Sequence, residues 1–316
     1  MQELYPAKEV IEAAAKRIAP FVHKTPVMTS RSINAMVGAE LFLKCENFQK
    51  VGAFKYRGAT NAVLLLSGAE KKNGVATHSS GNHAQALALA AKNNGLKAYI
   101  VMPENSSKVK MDAVKGYGAE VITCIPTQQA REETLDEVVR RTGATFIHPY
   151  NNYNIIAGQA TAAKELIEEV KNLDVVMAPV GGGGLLSGTA LATHYFSPGS
   201  VVIAGEPANA DDAYRSLQKG EVVPANPPST IADGLLTSLG DKTFDIIRKH
   251  VNEIITVTEE EIVAAMRLVW ERMKIIIEPS SAVPVAAVFK NKAKFAGKRV
   301  GIVISGGNVD LTKLPF

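Results

Sequence analysis

The chain has 316 residues, 46% hydrophobic and 21% charged, which excludes a disordered or low-complexity protein and gives enough length for about two lobes. Its formal net charge is +4, with acids and bases interspersed and no polybasic tract, so nucleic acid is not an expected partner. The longest apolar runs, such as residues 175–180 and 302–304, fall far short of the roughly 20 residues that cross a bilayer, so no membrane span is expected.

In chain order, short β-type runs alternate with amphipathic stretches. Residues 8–19 predict a helix and 40–44 a strand. Residues 56–66 predict a helix, 74–78 a short strand and 83–92 another helix. A strand over 98–102 closes at Pro103, and a helix over 108–117 leads to a strand over 120–125. A helix over 130–141, a strand over 145–148 and a helix over 156–170 follow. The strand 175–180 runs into four consecutive glycines, then a helix to about Tyr195 and a strand over 201–205. Residues 259–273 predict a long helix, and 299–304 a strand ending in Ser305-Gly306-Gly307-Asn308. This alternation predicts an α/β fold of parallel sheets flanked by helices, with ligands beyond the carboxyl ends of the strands. The first residues carry no basic n-region and no apolar h-region, so no secretory signal is expected. Two cysteines, Cys45 and Cys124, cannot build a disulfide framework, and a reducing, cytoplasmic setting is the expectation.

The turn Pro179-Val-Gly-Gly-Gly-Gly-Leu-Leu-Ser-Gly188 carries the strongest chemical signal. Gly181, Gly182, Gly183 and Gly184 sit between a strand and a helix. There, backbone N–H groups can approach an anion and the helix N-terminus adds a positive dipole. The GxGxxG spacing fails at Leu186 and no Lys-Ser/Thr follows, which excludes dinucleotide and Walker-type loops. The loop reads as a cradle for one terminal phosphate; the plain alternative is a flexible turn. Lys55 lies between Phe54 and Tyr56 where a helix begins. A cation is unfavourable at a helix N-terminus, and an apolar setting depresses an amine pKa. Both effects favour a neutral, nucleophilic amine of the Schiff-base kind. Taken alone, Lys55 also reads as a surface lysine, with Phe54 and Tyr56 as core. In Thr77-His-Ser-Ser-Gly-Asn-His-Ala-Gln85, Ser79, Ser80 and Asn82 could cap the following helix. The same hydroxyls and N–H groups could instead hold a substrate carboxylate. His78 and His83 do not have the spacing of a zinc pair on one helical face, and neither HExxH nor GxSxG occurs.

Phe54-Lys55-Tyr-Arg-Gly-Ala59, Ser79-Ser-Gly-Asn-His-Ala-Gln85, the glycine run with Leu-Leu-Ser-Gly188, and Ser305-Gly-Gly-Asn308 occur in a telling order and spacing. Together they resemble the fold-type II pyridoxal-phosphate enzymes, most closely the serine racemase and serine/threonine dehydratase branch. The resemblance covers nearly the whole chain; each motif alone is moderate, the set is specific. It implies two α/β lobes with pyridoxal 5′-phosphate between them, and a homodimer. The small lobe would be residues 73–148, and the large lobe 1–72 with 149–316. Lys55 would hold the cofactor covalently and act as base on one face of the substrate Cα. Gly181, Gly182, Gly183, Gly184 and Leu185 would bind the cofactor phosphate, and Asn82 its 3′-oxygen. Phe54 would stack near the ring. Ser305 would meet the pyridine nitrogen, with Glu278, in Glu278-Pro-Ser-Ser-Ala282, near that end. Ser79, Ser80, Gly81 and His83 would surround the substrate carboxylate, and Ser80 would serve the opposite face of Cα. Arg131 falls where the racemase branch has an arginine near the substrate. The sequence ends at Phe316, so the regulatory domain of biosynthetic threonine dehydratases is not expected.

Ser305 also has a physical reading. A hydroxyl cannot keep a pyridinium charged as an aspartate would, so the ring becomes a weaker electron sink. Loss of a β-leaving group together with the Cα proton is then favoured over transamination, which suits serine and threonine and yields a keto acid and ammonia. The alternative for Ser305 is a turn residue closing the last strand. Glu206, the carbonyl of Ala210 and Asp212 could supply three hard oxygens to Mg²⁺, Ca²⁺ or Mn²⁺. That stretch resembles the divalent-cation site of eukaryote-type serine racemases and related hydroxyaspartate dehydratases; the alternative is Asn209 capping a helix with an acidic first turn. The favoured reading is a pyridoxal-phosphate serine/threonine ammonia-lyase that also racemises serine. Alternatives are a 3-hydroxyaspartate dehydratase, racemisation as the main activity, a β-replacement enzyme of the cysteine-synthase type, and a non-catalytic carrier of the cofactor. A nicotinamide dehydrogenase is disfavoured by the missing GxGxxG.

Overall fold

The computed structural model describes residues 5–106, 108–225 and 229–316, with only the backbone of Val109. Among them, ten strands form two sheets. They are β1 (Val27–Met28), β2 (Glu40–Cys45), β3 (Val75–His78), β4 (Ala98–Pro103), β5 (Glu120–Cys124), β6 (Thr145–Phe146), β7 (Val175–Pro179), β8 (Val201–Pro207), β9 (Glu253–Val257) and β10 (Arg299–Ile304). The larger sheet has the order β1-β2-β10-β7-β8-β9 and is parallel except for β1, which runs antiparallel to β2. The smaller sheet, β5-β4-β3-β6, is wholly parallel. The α/β architecture expected from the sequence is therefore present. β4 (AYIVMP) and β7 (VVMAP) are buried at every position. Unbroken apolar runs are what a strand needs when helices cover both faces of its sheet.

The helices Lys55–Leu64 and Tyr153–Glu169 cross with their backbones in contact. A Cβ on Gly158 would lie 2.6 Å from the Gly58 Cα, so no side chain fits at that crossing. Asn152 caps the second helix, accepting from the N–H groups of Asn154 at 2.8 Å and Ile155 at 3.2 Å. The helix Pro279–Lys290 is not anticipated, because Pro284 in its interior reads as a breaker. Burial overrides that preference: the helix packs on β8 so closely that a Cβ on Gly205 would meet the Pro284 Cα at 2.9 Å. The strand β9 is likewise unanticipated, and β6 stops at Phe146, short of the predicted His148. No helix of the described residues is long and apolar enough to cross a membrane.

Candidate active site

β7 and β10 are neighbours, with Ile302 opposite Met177, so the turns beyond their carboxyl ends lie side by side. The sheet is entered there from both directions, the arrangement in which α/β proteins bind ligands. Beyond β7, Gly183 takes φ 87, a left-handed conformation that suits glycine, and the helix Gly184–Phe196 begins at once. A Cβ on Gly182 would fall within 2.4 Å of the Tyr150 ring, and one on Gly181 within 2.8 Å of the Leu235 Cα. The N–H groups of Gly182, Gly183, Gly184 and Leu185, all buried, donate to no acceptor among the described residues. Buried N–H groups without partners are rare and costly. A run of them at a helix N-terminus fits a phosphate group.

Lys55 opens its helix, and its Nζ donates to the Pro149 carbonyl at 2.9 Å, 5.2 Å from the Phe54 ring centroid. Burial lowers its pKa to about 8, with Glu278 pulling the other way. The neutral, nucleophilic amine is therefore reached at a lower pH than in an ordinary lysine. The helix start is anchored from below by buried charge. Arg57 donates to Glu46 at 2.7 and 2.9 Å, to Glu165 at 2.7 and 2.8 Å, and to Thr161 and the His23 carbonyl. Lys44 completes the cluster, donating to Glu165 at 2.7 Å. Burial works against the Arg57 charge, and the two carboxylates more than offset it.

Ser305 is buried at the end of β10. Its carbonyl accepts the Phe54 N–H at 2.9 Å, which ties the neighbour of Lys55 to this strand. Its Oγ lies 2.9 Å from Ser281 Oγ. Asn82 donates to both Glu278 oxygens at 3.1 Å, while the Asn308 amide side chain donates to Asn82 Oδ1 and to the Val51 carbonyl, each at 2.8 Å. Burial pushes the Glu278 carboxyl up to about 7; Asp233 adds to the rise, and the Asn82 and Asn308 donors oppose it. Lys55, the glycine loop, Asn82, Glu278 and Ser305 thus come together around one set of contacts.

The helix Asn82–Asn93 has Gly81 as its N-cap and no side-chain cap, so Ser79, Ser80 and Asn82 do not cap it. The Ser79 hydroxyl instead accepts the Gly81 N–H at 3.3 Å. His83 follows in the first turn of that helix. Its ring is 2% exposed with Nε2 3.1 Å from the Ile147 carbonyl, so the proton sits on Nε2 and the buried, partnerless Nδ1 is an acceptor. Burial, then the Lys55 charge, holds its pKa well below the ordinary value. A neutral acceptor cannot donate to a carboxylate, so the His83 contribution there reduces to its backbone N–H. Arg131 lies in the first turn of the helix Gln128–Thr142, with Nε buried and without an acceptor.

Glu206, at the end of β8, is fully buried and accepts the N–H groups of Ala213 and Tyr214 at 2.8 Å each. It therefore caps the helix Asp212–Lys219 from outside, and Asn209 does not. Asp212 is 1% exposed and its Oδ2 has no hydrogen-bond partner. Burial pushes the Glu206 carboxyl up to about 9 and that of Asp212 up to about 6. The described residues hold no group of three His, Cys, Asp or Glu side chains around one point, so a cation here would rest on these two carboxylates and the Ala210 carbonyl. The orphaned Asp212 oxygen fits such an ion.

Sequence reasoning passed over Tyr150, His148, Ser281 and the side chain of Asn308. The only local signal was the position of His148-Pro149-Tyr150, beyond the carboxyl end of a strand.

The family model for pyridoxal-phosphate dependent enzymes matches residues 18–306. The chain is 51% identical over 311 residues to the beta-hydroxyaspartate dehydratase of Paracoccus denitrificans (strain Pd 1222), covering 98% of this chain and 99% of that protein. It is 52% identical over 308 residues to the serine racemase of Dictyostelium discoideum, covering 96% of this chain and 95% of that one. The crystal structure of the Dictyostelium serine racemase superposes with a TM-score of 0.92, over 96% of this chain and 98% of the other.

Proposed function

Because the chain belongs to the family of pyridoxal-phosphate dependent enzymes, we propose that it is an ammonia-lyase of β-hydroxy amino acids that also racemises serine. On this reading serine and threonine are converted to a keto acid and ammonia. The observation that carries it is Ser305: a buried hydroxyl, not a carboxylate, ends β10 beside the segment that bears Lys55.

Pyridoxal phosphate, when bound, supplies the electron sink that weakens the Cα–H bond of the substrate. The N–H groups of Gly182, Gly183, Gly184 and Leu185, with Gly181 shaping the loop, would hold the phosphate. The Lys55 amine would carry the cofactor and, when free, would take the Cα proton on its own face. Ser305 would hydrogen-bond the ring nitrogen without fixing a charge there, Asn82 would serve the 3′-oxygen, and Phe54 and Glu278 would line the ring. The hydroxyls of Ser79 and Ser80 and the N–H groups of Gly81 and His83 surround the substrate carboxylate. Ser80 exchanges a proton on the opposite face. Arg131 stands near the substrate.

A divalent cation is proposed at Glu206, Ala210 and Asp212, supported by the orphaned Asp212 oxygen. The two sheets support a division into a small lobe, residues 73–148, and a large lobe, 1–72 with 149–316. A homodimer rests on the resemblance, and a cytoplasmic setting on the two free, buried cysteines.

A second reading, a 3-hydroxyaspartate dehydratase, is favoured by the Paracoccus relative and by the unpartnered Nε of Arg131, which suits a substrate with a second carboxylate. The deciding experiment offers the purified holoenzyme L-serine, L-threonine, D-serine and 3-hydroxyaspartate, and reads keto acid and chirality. Keto acid from L-serine and L-threonine together with D-serine formation supports the first reading. Keto acid from 3-hydroxyaspartate alone supports the second. No keto acid and no racemisation from any of them removes both.

A further inference from the structure

A histidine that the reaction as described does not use organises the segment that holds Lys55. His148 Nδ1 accepts the N–H of Asn151 at 2.9 Å and that of Tyr150 at 3.3 Å, closing a side-chain-to-backbone turn just after β6. An accepting Nδ1 means a neutral ring with its proton on Nε2. Burial, with the charges of His78 and Lys55 adding to it, pushes the His148 pKa down to about 4, so the ring stays neutral near pH 7. The residue between the anchored positions is Pro149, whose carbonyl takes the Lys55 amine at 2.9 Å. The residue after it, Tyr150, lays its ring along the glycine loop, where a Cβ on Gly182 would come within 2.4 Å of it and one on Gly184 within 2.8 Å of its own Cβ. One imidazole therefore fixes both the acceptor for the amine and one wall of the anion loop.

We propose that His148 is a positioning residue: by fixing the Pro149 carbonyl it gives the free Lys55 amine a docking point, from which that amine attacks the cofactor aldehyde, forming a C=N bond as the aldehyde oxygen leaves as water, and to which it returns when the substrate amine takes its place at that carbon. The proposal rests on Lys55 being the cofactor-bearing lysine. A long amine without a fixed acceptor spreads over several rotamers, and each rotamer away from the site lowers the fraction poised to react.

The test uses the full-length protein, freed of pyridoxal phosphate and then reloaded, as wild type, His148→Asn and His148→Leu. Asparagine places Oδ1 close to where Nδ1 lies and can accept the same N–H groups; leucine accepts neither. The rate of cofactor capture is read from the absorbance change, and the site from borohydride reduction and peptide mapping. His148→Leu is expected to lower the capture rate about tenfold, the worth of roughly one hydrogen bond. His148→Asn is expected to stay within about twofold of wild type. Equal rates in all forms, or an equal fall in both variants, overturns the proposal. Should His148→Leu fail to fold, His148→Gln replaces it, since its amide oxygen reaches the Nε2 position and leaves Tyr150 and Asn151 without an acceptor. Reduced cofactor on a lysine other than Lys55 in the wild type overturns the functional reading and the proposal with it, and shows before any substitution is made.

Discussion

Ser281 Oγ stands 2.9 Å from Ser305 Oγ and accepts the Gly306 N–H at 2.7 Å, so two buried hydroxyls form one chain. Each hydroxyl has a single proton. If Ser281 directs its proton to Ser305, the Ser305 proton is free for an unprotonated ring nitrogen; if Ser281 turns to the Gly306 carbonyl, 2.7 Å away, Ser305 donates to Ser281 and offers the ring only a lone pair. Ser281→Ala removes the group that orients Ser305. We expect the dissociation constant for pyridoxal phosphate to rise about fivefold to tenfold, the worth of roughly one hydrogen bond, with reductive labelling of Lys55 retained. Fluorescence titration measures it. Unchanged affinity and an unchanged absorbance band would show that Ser305 needs no orientation.

Lys55→Ala is expected to abolish both the borohydride-reducible adduct and the lyase activity. In the wild type the pH profile of cofactor capture carries a sharper statement. Burial disfavours the ammonium form and lowers the pKa from 10.5 to about 8, so the neutral amine accumulates as pH rises through about 8. Capture should climb to a plateau just above that pH. A rise that continues toward 10.5 would mean a solvated, ordinary lysine.

Mg²⁺ or Ca²⁺ should raise the melting temperature of the wild type, because an ion that binds only the folded state stabilises it by mass action. Glu206→Gln and Asp212→Asn, which keep shape and lose charge, should cancel that increment. Differential scanning calorimetry with and without EDTA reads it directly. If EDTA changes nothing in the wild type, Glu206 is a helix cap and no more.

Racemisation needs proton exchange on both faces of Cα, whereas elimination from an L-amino acid needs only one, the face proposed for Lys55. Ser80→Ala should therefore suppress D-serine formation and D-serine breakdown while sparing much of the L-serine and L-threonine lyase activity. Chiral chromatography of the products separates the two. A parallel loss with both enantiomers would leave Ser80 as a carboxylate contact only.

Arg57→Met should destabilise the fold by about 3–5 kcal/mol, since it leaves the buried Glu46 carboxylate without its cation. Urea unfolding of the cofactor-free protein measures this without interference from the ligand. A loss below about 1 kcal/mol, the range of a surface pair, would mean that water reaches Glu46.

The readily legible parts of this molecule are local. β4 and β7 announce themselves by unbroken apolar runs, the glycine loop and Ser305 by following strands, and Lys55 by its place between two aromatics at a helix start. What could not be read depends on contacts between distant segments. Asn308 reaches Asn82 across 226 positions, and no spacing along the chain encodes that. The helix Pro279–Lys290 is concealed by Pro284, and Ser281 with it. The direction of the His83 ring was hidden for the same reason: the motif Gly81-Asn82-His83 fixes the residue, but only the packed Ile147 carbonyl fixes which nitrogen is protonated.

The place of β10 in the larger sheet bears on when the site can exist at all. It fills the slot between β2 and β7, with Arg299 opposite Glu40 across 259 positions, whereas β3 to β6 pair within one continuous stretch. Short loops close at lower entropic cost than long ones, and local pairings form fastest. As the chain emerges from its amino end, the smaller sheet has all its strands long before β10 is made. Ser305, and the carbonyl that receives the Phe54 N–H, arrive only with that final strand. On the proposed assignment, a nascent chain already carrying Lys55 and the glycines would still lack part of the cofactor site. With the site in its proposed place, cofactor loading would follow the pairing of β10 with β2 and β7.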